Sequence, residues 1–408
     1  MKKMFSKFGL VLAAAALTAP VFTSCDDDDD VKSYNLTLSF NPSSELTGSQ
    51  IVDAKVVLSN ASTSETIEVT DINTPITLEK VQGSYTAVFS GRLADEAQAV
   101  VSGTANVELY ANQTVNISLQ KSLKSPLLFK TIYCTGGAQY YVLDSYIEIV
   151  NNSDEVQYLD NLILFKGNGN LKAKSAWQEA YPEFYASGQG AILAFPGTGK
   201  DYPLEPGKFV VIADQAQNHK LAYDPEAEDV EELKEQYAKS PDLSGADWEK
   251  YYGNGDIDNE EVPNLTTVFS NNQYMKMWAF GVSGAAYVLA KLPDGLTPEA
   301  YFADESNFAT TPGTTSTMQF VLFSNKVVLD AVDAYGQGVD PEDNYPYFLP
   351  KDDVKGIPVS AMYTGKAIRR KVERIENGRV YYKDTNNSSE DWKNEQDNTP
   401  GVTPTTVD

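Results

Sequence analysis

Between residues 33 and 122, apolar and polar positions alternate over short segments that turn residues separate. In Tyr34–Phe40, Leu36, Leu38 and Phe40 alternate with polar side chains, which is the period of a strand with one buried face. Further segments of this kind are Ile51–Leu58, Glu65–Thr70, Thr77–Lys80, Ser84–Ser90, Ala97–Glu108 and Thr114–Leu119. This spacing predicts a small β-sandwich.

A short polar link around residues 121–126 precedes longer and more aromatic strands, so a second domain is predicted over residues 126–395. Its first strand is Leu127–Cys134. In Tyr146–Val150, Ile147 and Ile149 share one face, and the polar stretch 152–154 predicts a turn into a returning strand that ends at Leu164. The chain is therefore expected to be all-β.

Two insertions interrupt the second domain, at about residues 166–204 and 214–286, and residues 396–408 are expected to form a flexible tail. Long insertions are where sandwiches usually carry recognition. Within the second insertion, Val230, Leu233 and Tyr237 recur at helical spacing beside the acidic run Asp224–Glu235. This pattern predicts a short amphipathic helix.

The charge of the chain excludes one class of partner. Its 408 residues contain 32 Lys and Arg against 57 Asp and Glu, a formal net charge of −25, which repels phosphate backbones. Nucleic acid is therefore not an expected partner. A single histidine, His219, and two cysteines, Cys25 and Cys134, leave too few groups for most catalytic triads and for zinc or disulfide frameworks. We expect a loop or capping role for His219 and a buried thiol at Cys134.

The N-terminus has the composition of a secretory signal. Three lysines precede the apolar stretch Phe8–Leu17, and a small polar exit leads to Cys25. Residues 1–24 resemble a bacterial lipoprotein signal, which implies that Cys25 is acylated and anchors the mature chain to membrane lipid. Residues 25–32 then form an acidic tether, in which Asp26, Asp27, Asp28, Asp29 and Asp30 resemble the run that exports Bacteroidetes lipoproteins to the outer surface of the outer membrane. The alternative is a solvated spacer.

Several blocks of the second domain resemble lamin-tail domains, which are immunoglobulin-like sandwiches. The blocks are Tyr146–Leu164, Leu204–Ala213, Tyr287–Leu292, Val327–Gly336, Lys366–Lys371 and Asp384–Trp392. The first domain resembles the immunoglobulin-like or prealbumin-like sandwich of Bacteroidetes surface lipoproteins, where it serves as a spacer. The whole layout resembles the Bacteroidetes lipoproteins of the domain-of-unknown-function family 4876. This resemblance implies a fold but no chemistry.

Aromatic side chains are the first candidates for recognition. They occur in and near the insertions: Trp177, Tyr181, Phe184, Tyr185, Trp248, Tyr251, Tyr252, Tyr274, Trp278, Tyr345, Tyr347 and Phe348. Such rings can stack on a sugar, a haem or a siderophore, or anchor a protein interface, although a sandwich core also needs aromatics. We predict that Trp248, Tyr251 and Tyr252 contact the ligand or partner, and that Trp278 and Phe280 belong to the core.

The loop that follows is a candidate metal site. Asp256, Asp258, Glu260 and Glu261 lie close together after a glycine-rich stretch, and calcium prefers six to eight oxygen ligands. The spacing is not that of an EF-hand, and an acidic surface loop is the favoured alternative. A structural Ca²⁺ is the one cofactor considered.

Two functional hypotheses follow. The first is a non-enzymatic binding protein at the outer-membrane surface, alongside a TonB-dependent transporter in the uptake of nutrients or metal complexes; this partner is implied only by the lipoprotein resemblance. The second is a carboxylate-based hydrolase acting on a glycan or peptide, which needs two acids in a cleft.

Overall fold

The computed structural model describes residues 32–60, 62–96, 99–167, 172–253, 256–271, 281, 283–340 and 343–408. Cys25 and the five aspartates after it lie outside these residues, as do Tyr274, Trp278 and Phe280. Across the described ranges no helix is long and apolar enough to span a membrane.

The first domain contains seven strands in its described residues, and they coincide with the predicted segments. They are β1 (Ser33–Pro42), β2 (Ile51–Ser59), β3 (Ser64–Glu68), β4 (Ile76–Val81), β5 (Gly83–Leu93), β6 (Ala99–Leu109) and β7 (Gln113–Leu123). Their order is β3-β2-β5-β6-β7-β1-β4. Strand β7 pairs with β1 in parallel and then with β6, so one chain segment joins both faces of a sandwich. Leu36, Val56, Phe89 and Ile117 fill its core.

The first strand of the second domain begins at Leu127. Its strands are β8 (Leu127–Tyr133), β9 (Tyr146–Asn151), β10 (Gln157–Tyr158), β11 (Leu162–Gly167), β12 (Phe184–Ala186), β13 (Ala191–Ala194), β14 (Pro203–Leu204), β15 (Phe209–Ala213), β16 (Trp248–Lys250), β17 (Asn264–Ser270), β18 (Ala286–Lys291), β19 (Phe308–Thr310), β20 (Gln319–Ser324), β21 (Val328–Tyr335), β22 (Ile357–Pro358), β23 (Lys366–Arg370), β24 (Val372–Glu376), β25 (Arg379–Tyr382) and β26 (Trp392–Asp397). Four short α-helices accompany them: α1 (Ala176–Ala180), α2 (Val230–Tyr237), α3 (Pro298–Ala303) and α4 (Ser388–Asp391). The all-β prediction is therefore confirmed, and α2 is the predicted short helix.

One sheet dominates this domain and folds over itself. Among the described strands its order is β22-β21-β18-β11-β13-β17-β16-β15-β9-β8-β23-β26. Residues from its two halves meet in one core, with Phe129, Ile149 and Ile212 on one side and Leu164 and Leu289 on the other. A sheet folded in this way packs the inner faces of its two halves against each other, as in a sandwich.

The predicted hairpin from β9 into the next strand is wrong. Strand β9 pairs with β8 and β15, whereas β11 pairs with β13 and β18 in the opposite half of the sheet. Asp160 redirects the chain between them, because its carboxylate accepts hydrogen bonds from the backbone N–H groups of Gly199, Asp201 and Tyr202. The connection is thus a crossover tied to the 199–202 loop.

The second insertion is not a peripheral loop. It supplies β16 and β17, which pair with each other and connect β15 to β13. The two halves of the large sheet are therefore continuous through inserted residues, so the insertion belongs to the scaffold of the domain.

The C-terminal segment, expected to be a flexible tail, instead packs on the domain. Gly401 N donates to Glu148 Oε1 at 2.7 Å, and Lys130 Nζ donates to the carbonyl oxygen of Val402 at 2.9 Å. Lys130 and Glu148 themselves form a fully buried ion pair at 2.6 Å. The segment covers this pair, which would otherwise face solvent, and so acquires a fixed position.

The two domains contact each other through the outer face of β5 and β6. Val88 and Val100 point away from the core of the first domain and yet are almost fully buried. Ser102 Oγ donates to the carbonyl oxygen of Pro350 at 2.6 Å, and Asn386 Nδ2 donates to Ser122 Oγ at 2.6 Å. The first domain therefore forms one wall of any cleft beside this contact.

Candidate functional site

A cleft of about 430 Å³ opens beside the contact between the two domains. The first domain contributes Thr86, Thr104, Ala105 and Asn106; the second contributes Lys174, Gln178, Tyr181, Pro182, Phe184, Tyr185, Asn344, Tyr345, Pro346, Tyr347, Phe348, Leu349, Pro350, Val354 and Lys355. Concave, mostly apolar sites with a few polar groups at domain boundaries are the usual location of ligands. This cleft is therefore the candidate functional site.

The first aromatic group of the cleft, Tyr181, Phe184 and Tyr185, follows helix α1. A capping box forms at the start of α1, because Ser175 Oγ accepts from Gln178 N while the Gln178 side chain accepts from Ser175 N. Gln178 Nε2 also donates to the carbonyl oxygens of Pro346 and Tyr347, at 2.9 and 3.0 Å. The Gln178 side chain thus caps the start of the helix and also bonds it to the second aromatic group of the cleft, in the segment 345–350.

The second aromatic group lies in the segment 345–350. Tyr347 Oη donates to the carbonyl oxygen of Ala186 at 2.6 Å, and its ring lies directly over Gly167, where a Cβ atom would come within 2.5 Å of the ring. Tyr185 Oη donates to Asp352 at 2.6 Å and accepts from Leu349 N at 2.8 Å. Buried hydrogen bonds at both ends hold these rings in place, so the cleft floor is rigid.

The accessible rings stand above this floor. Phe184 is exposed, and Tyr181 and Tyr345 are half-buried. Below them, Tyr185 and Phe348 pack edge to face with ring centroids 5.1 Å apart. Partly exposed rings over a fixed base offer flat surfaces for stacking at a low cost in conformational entropy.

The electrostatics of the cleft differ from those of the rest of the protein. Its described lining residues include two lysines, Lys174 and Lys355, and no carboxylate, although the chain carries a net charge of −25. Asn344 Nδ2 donates to Asp333 Oδ2 at 3.2 Å, and burial raises the pKa of Asp333 to about 6. The Asn344 Oδ1 atom is buried and has no hydrogen-bond partner among the described residues. The two lysines can therefore attract negative charge to the cleft.

The structure corrects the role predicted for Trp248. This side chain is 5% exposed and lies in the main core, where it packs edge to face against Phe195 and Tyr202 with centroids 5.1 and 4.9 Å apart. Its position on β16, inside the large sheet, turns it inward. Trp248 cannot contact a ligand without unfolding this region.

Tyr251 and Tyr252 are half-buried and lie outside the cleft lining. The ring of Tyr252 covers the ammonium group of Lys250 at 4.5 Å from the ring centroid. The structure therefore does not bring the three predicted aromatic residues together on one exposed surface, because β16 directs Trp248 into the core.

The four predicted calcium ligands also do not converge. Asp256 is turned inward toward Lys250, Asp258 accepts a hydrogen bond from Asn264, and Glu260 and Glu261 are exposed. Within the described ranges, no three His, Cys, Asp or Glu side chains are grouped to hold a metal ion. The inward turn of Asp256 removes the central ligand from the predicted set.

His219 and Cys134 have structural environments. His219 is fully buried; its Nε2 donates to the carbonyl oxygen of Gln215 at 2.9 Å, so its Nδ1 accepts from Tyr141 Oη at 2.7 Å. Burial lowers the His219 pKa to about 4 and raises that of the Cys134 thiol to about 11. A neutral histidine and a protonated thiol are the forms that low polarity favours.

The cleft aromatics were among the candidates in the sequence, but nothing there indicated that they meet. Residues 181–185 and 345–348 are separated by about 160 positions, and hydrogen bonds from Gln178 to the segment 346–347 and from Leu349 to Tyr185 hold them together. The only local sign is the capping box at Ser175–Gln178, which fixes where α1 begins.

Comparison with known proteins finds a matching family model and a similar crystal structure. The model of a family described as "Protein of unknown function (DUF4876)" matches residues 205–399. The crystal structure of a DUF4876 family protein from Bacteroides thetaiotaomicron VPI-5482 is 25% identical, with a TM-score of 0.57 over 92% of this chain and 99% of that chain. No curated protein matches. The family model matches most of the second domain, and the fold is similar along nearly the whole chain, so this protein is similar to proteins of the DUF4876 family.

Proposed function

We propose that this protein is a non-enzymatic binding protein whose ligand occupies the cleft between the two domains. The observation that carries the proposal is the row of accessible rings at Tyr181, Phe184 and Tyr345 above a floor fixed by buried hydrogen bonds. Such a surface gains binding energy from contact area without first having to be ordered.

The chemistry of the lining favours a saccharide. The apolar face of a sugar ring fits a flat aromatic side chain, and its hydroxyl groups match the side chains of Thr104 and Asn106. Lys174 and Lys355 favour an acidic over a neutral sugar, since the rest of the protein repels anions.

The hydrolase alternative has less support. Among the described residues, the carboxylates of Asp330, Asp384 and Asp391 surround Arg370, and all four side chains are at least 95% buried. A glycosidase needs two carboxyl groups facing a substrate, whereas this group faces an arginine inside the fold. These acids are better explained as counter-charges that hold Arg370.

The proposal is tested by calorimetric titration of the full-length protein in detergent with neutral and uronic-acid oligosaccharides. We expect Phe184→Ala to weaken binding about tenfold through the loss of one stacking surface. Tyr110→Ala is the matched control, because this ring is exposed on the first domain and outside the cleft. Equal weakening by both substitutions, or binding unaffected by Phe184→Ala, would place the ligand elsewhere; heat from none of the sugars would reject the saccharide.

The cellular setting is proposed from the sequence. Acylation at Cys25 would hold the protein at the outer membrane, and a TonB-dependent transporter would receive the ligand. Purification from native membranes in mild detergent tests this partner: repeated recovery of the protein without any transporter would contradict it.

A further inference from the structure

Lys250 ends β16 inside the protein, between two carboxyl groups. Its Nζ lies 2.7 Å from Asp214 Oδ1 and 3.6 Å from Asp256 Oδ2, and none of the three side chains is more than 2% exposed. A primary amine is therefore held in contact with a carboxyl group inside the fold.

The sheet fixes this geometry. Strands β15 and β16 are parallel, with Ile212 opposite Trp248 and Ala213 opposite Glu249, so Asp214 and Lys250 follow at matching positions. Asp256 is held separately, because Gln215 Nε2 donates to its Oδ1 at 2.6 Å. The ring of Tyr252 covers the amine, so all the groups are already positioned in the folded protein.

We propose that Lys250 and Asp214 condense to an isopeptide bond, with Asp256 transferring the protons. The ammonium group first gives a proton to Asp214, which leaves an amine and a carboxylic acid. The Nζ lone pair then attacks Asp214 Cγ, Asp256 takes a proton from Nζ, and it returns that proton to the hydroxyl group that leaves. One N–C bond forms, one C–O bond breaks, one water is released, and Asp256 ends as a carboxylate.

Two physical effects favour this condensation. Holding the reacting groups in contact replaces a bimolecular step by an intramolecular one, for which effective concentrations are very high. The reaction also replaces two buried ions by one amide, which removes their desolvation cost, and the buried site excludes the water needed for hydrolysis.

The other fully buried lysine pair provides an internal comparison. Lys130 Nζ makes a regular hydrogen bond to Glu148 at 2.6 Å and a second one to the carbonyl oxygen of Val402. Its only ion pair among the described residues is with Glu148, so no second carboxyl group is placed to transfer protons. We expect Lys130 to remain a free amine.

Tryptic peptide mapping of the full-length protein by tandem mass spectrometry tests the proposal. Because trypsin does not cleave after an acylated lysine, we expect the peptide 209–220 joined to the peptide 240–276, lighter than their sum by one water. The peptide 125–130, which ends at Lys130, should be released normally from the same digest.

Recovery of the linear peptide 240–250 in the same yield as 125–130 would overturn the proposal. Asp256→Asn should restore the linear peptide while leaving Asp214 and Lys250 in place, with the melting temperature showing that the variant folds. If Asp256→Asn remains cross-linked, Asp256 does not transfer the protons. Should this variant fail to fold, the map of the unmodified protein still decides whether the bond exists.

Discussion

Replacing Trp248 by alanine distinguishes a core residue from a ligand contact. The indole is almost completely buried, and two aromatic neighbours pack edge to face against it. Truncating a buried tryptophan costs about 3–5 kcal/mol, and each lost aromatic pair adds about 0.5–1.5 kcal/mol to the area term. We therefore expect a loss of about 4 kcal/mol from the free energy of unfolding of the second domain.

Urea unfolding followed by tryptophan fluorescence measures this loss in the correct domain. All four tryptophans lie between residues 177 and 392, so the signal reports on the second domain even though the chain has two. With a urea slope of about 3 kcal/mol per M, the midpoint should fall by more than about 1 M. Tyr251→Ala is the matched control, because this neighbouring ring is only half-buried and its loss should cost about 1 kcal/mol or less.

Two results would contradict the assignment of Trp248 to the core. A midpoint that changes no more for Trp248→Ala than for Tyr251→Ala would mean that the indole is not part of the core. Loss of ligand binding at unchanged stability would restore the sequence-based assignment of Trp248 as a contact residue.

Four further predictions concern other parts of the chain. Cys25→Ala should leave the protein unprocessed or soluble, and membrane fractionation checks this; an alanine variant that still partitions with outer membranes rejects acylation. Alanine replacement of the run 26–30 should protect the protein from protease added to whole cells, and unchanged cleavage would make the run a simple tether. Because the His219 pKa is lowered to about 4, the unfolded state binds a proton at higher pH than the folded state does. Stability should therefore fall by about 3 kcal/mol as the pH drops from 6.5 to 4; His219→Gln should remove that part of the slope, and identical urea midpoints against pH for both proteins would contradict it. Glu148→Gln leaves the Lys130 charge buried and should cost about 3–5 kcal/mol of stability, so a melting temperature equal to that of the unmodified protein would show that the pair is not buried.

Strand positions could be predicted from the sequence because the alternation of apolar and polar residues is a local property. All seven strands of the first domain fall where the pattern puts them, as do β15, β18 and β21 in the second. Strand pairing was not accessible, because the turn residues at 152–154 favour a hairpin equally well whether or not Asp160 ties the chain to a distant loop.

The candidate site, like the fold, could be predicted from the sequence only in part. The sequence identified the classes of side chain that line the cleft, but it favoured the group at Trp248 because that group adjoins an acidic, glycine-containing loop. Burial decides which aromatics are accessible, and burial depends on β16 lying within the large sheet. Replacing residues 240–262 by a linker is therefore expected to unfold the domain rather than to remove a binding loop.

The position of strand β8 has a consequence for the order in which the protein folds. Its Phe129 N–H donates to Asp330, its Phe129 carbonyl accepts from Arg370, and its Lys130 donates to the carbonyl of Val402. These partners follow it by 201, 241 and 272 residues, so a strand synthesised early in its domain is completed only when distant segments arrive. Contacts of such long range slow folding. The second domain should thus remain open long after its first strand leaves the ribosome.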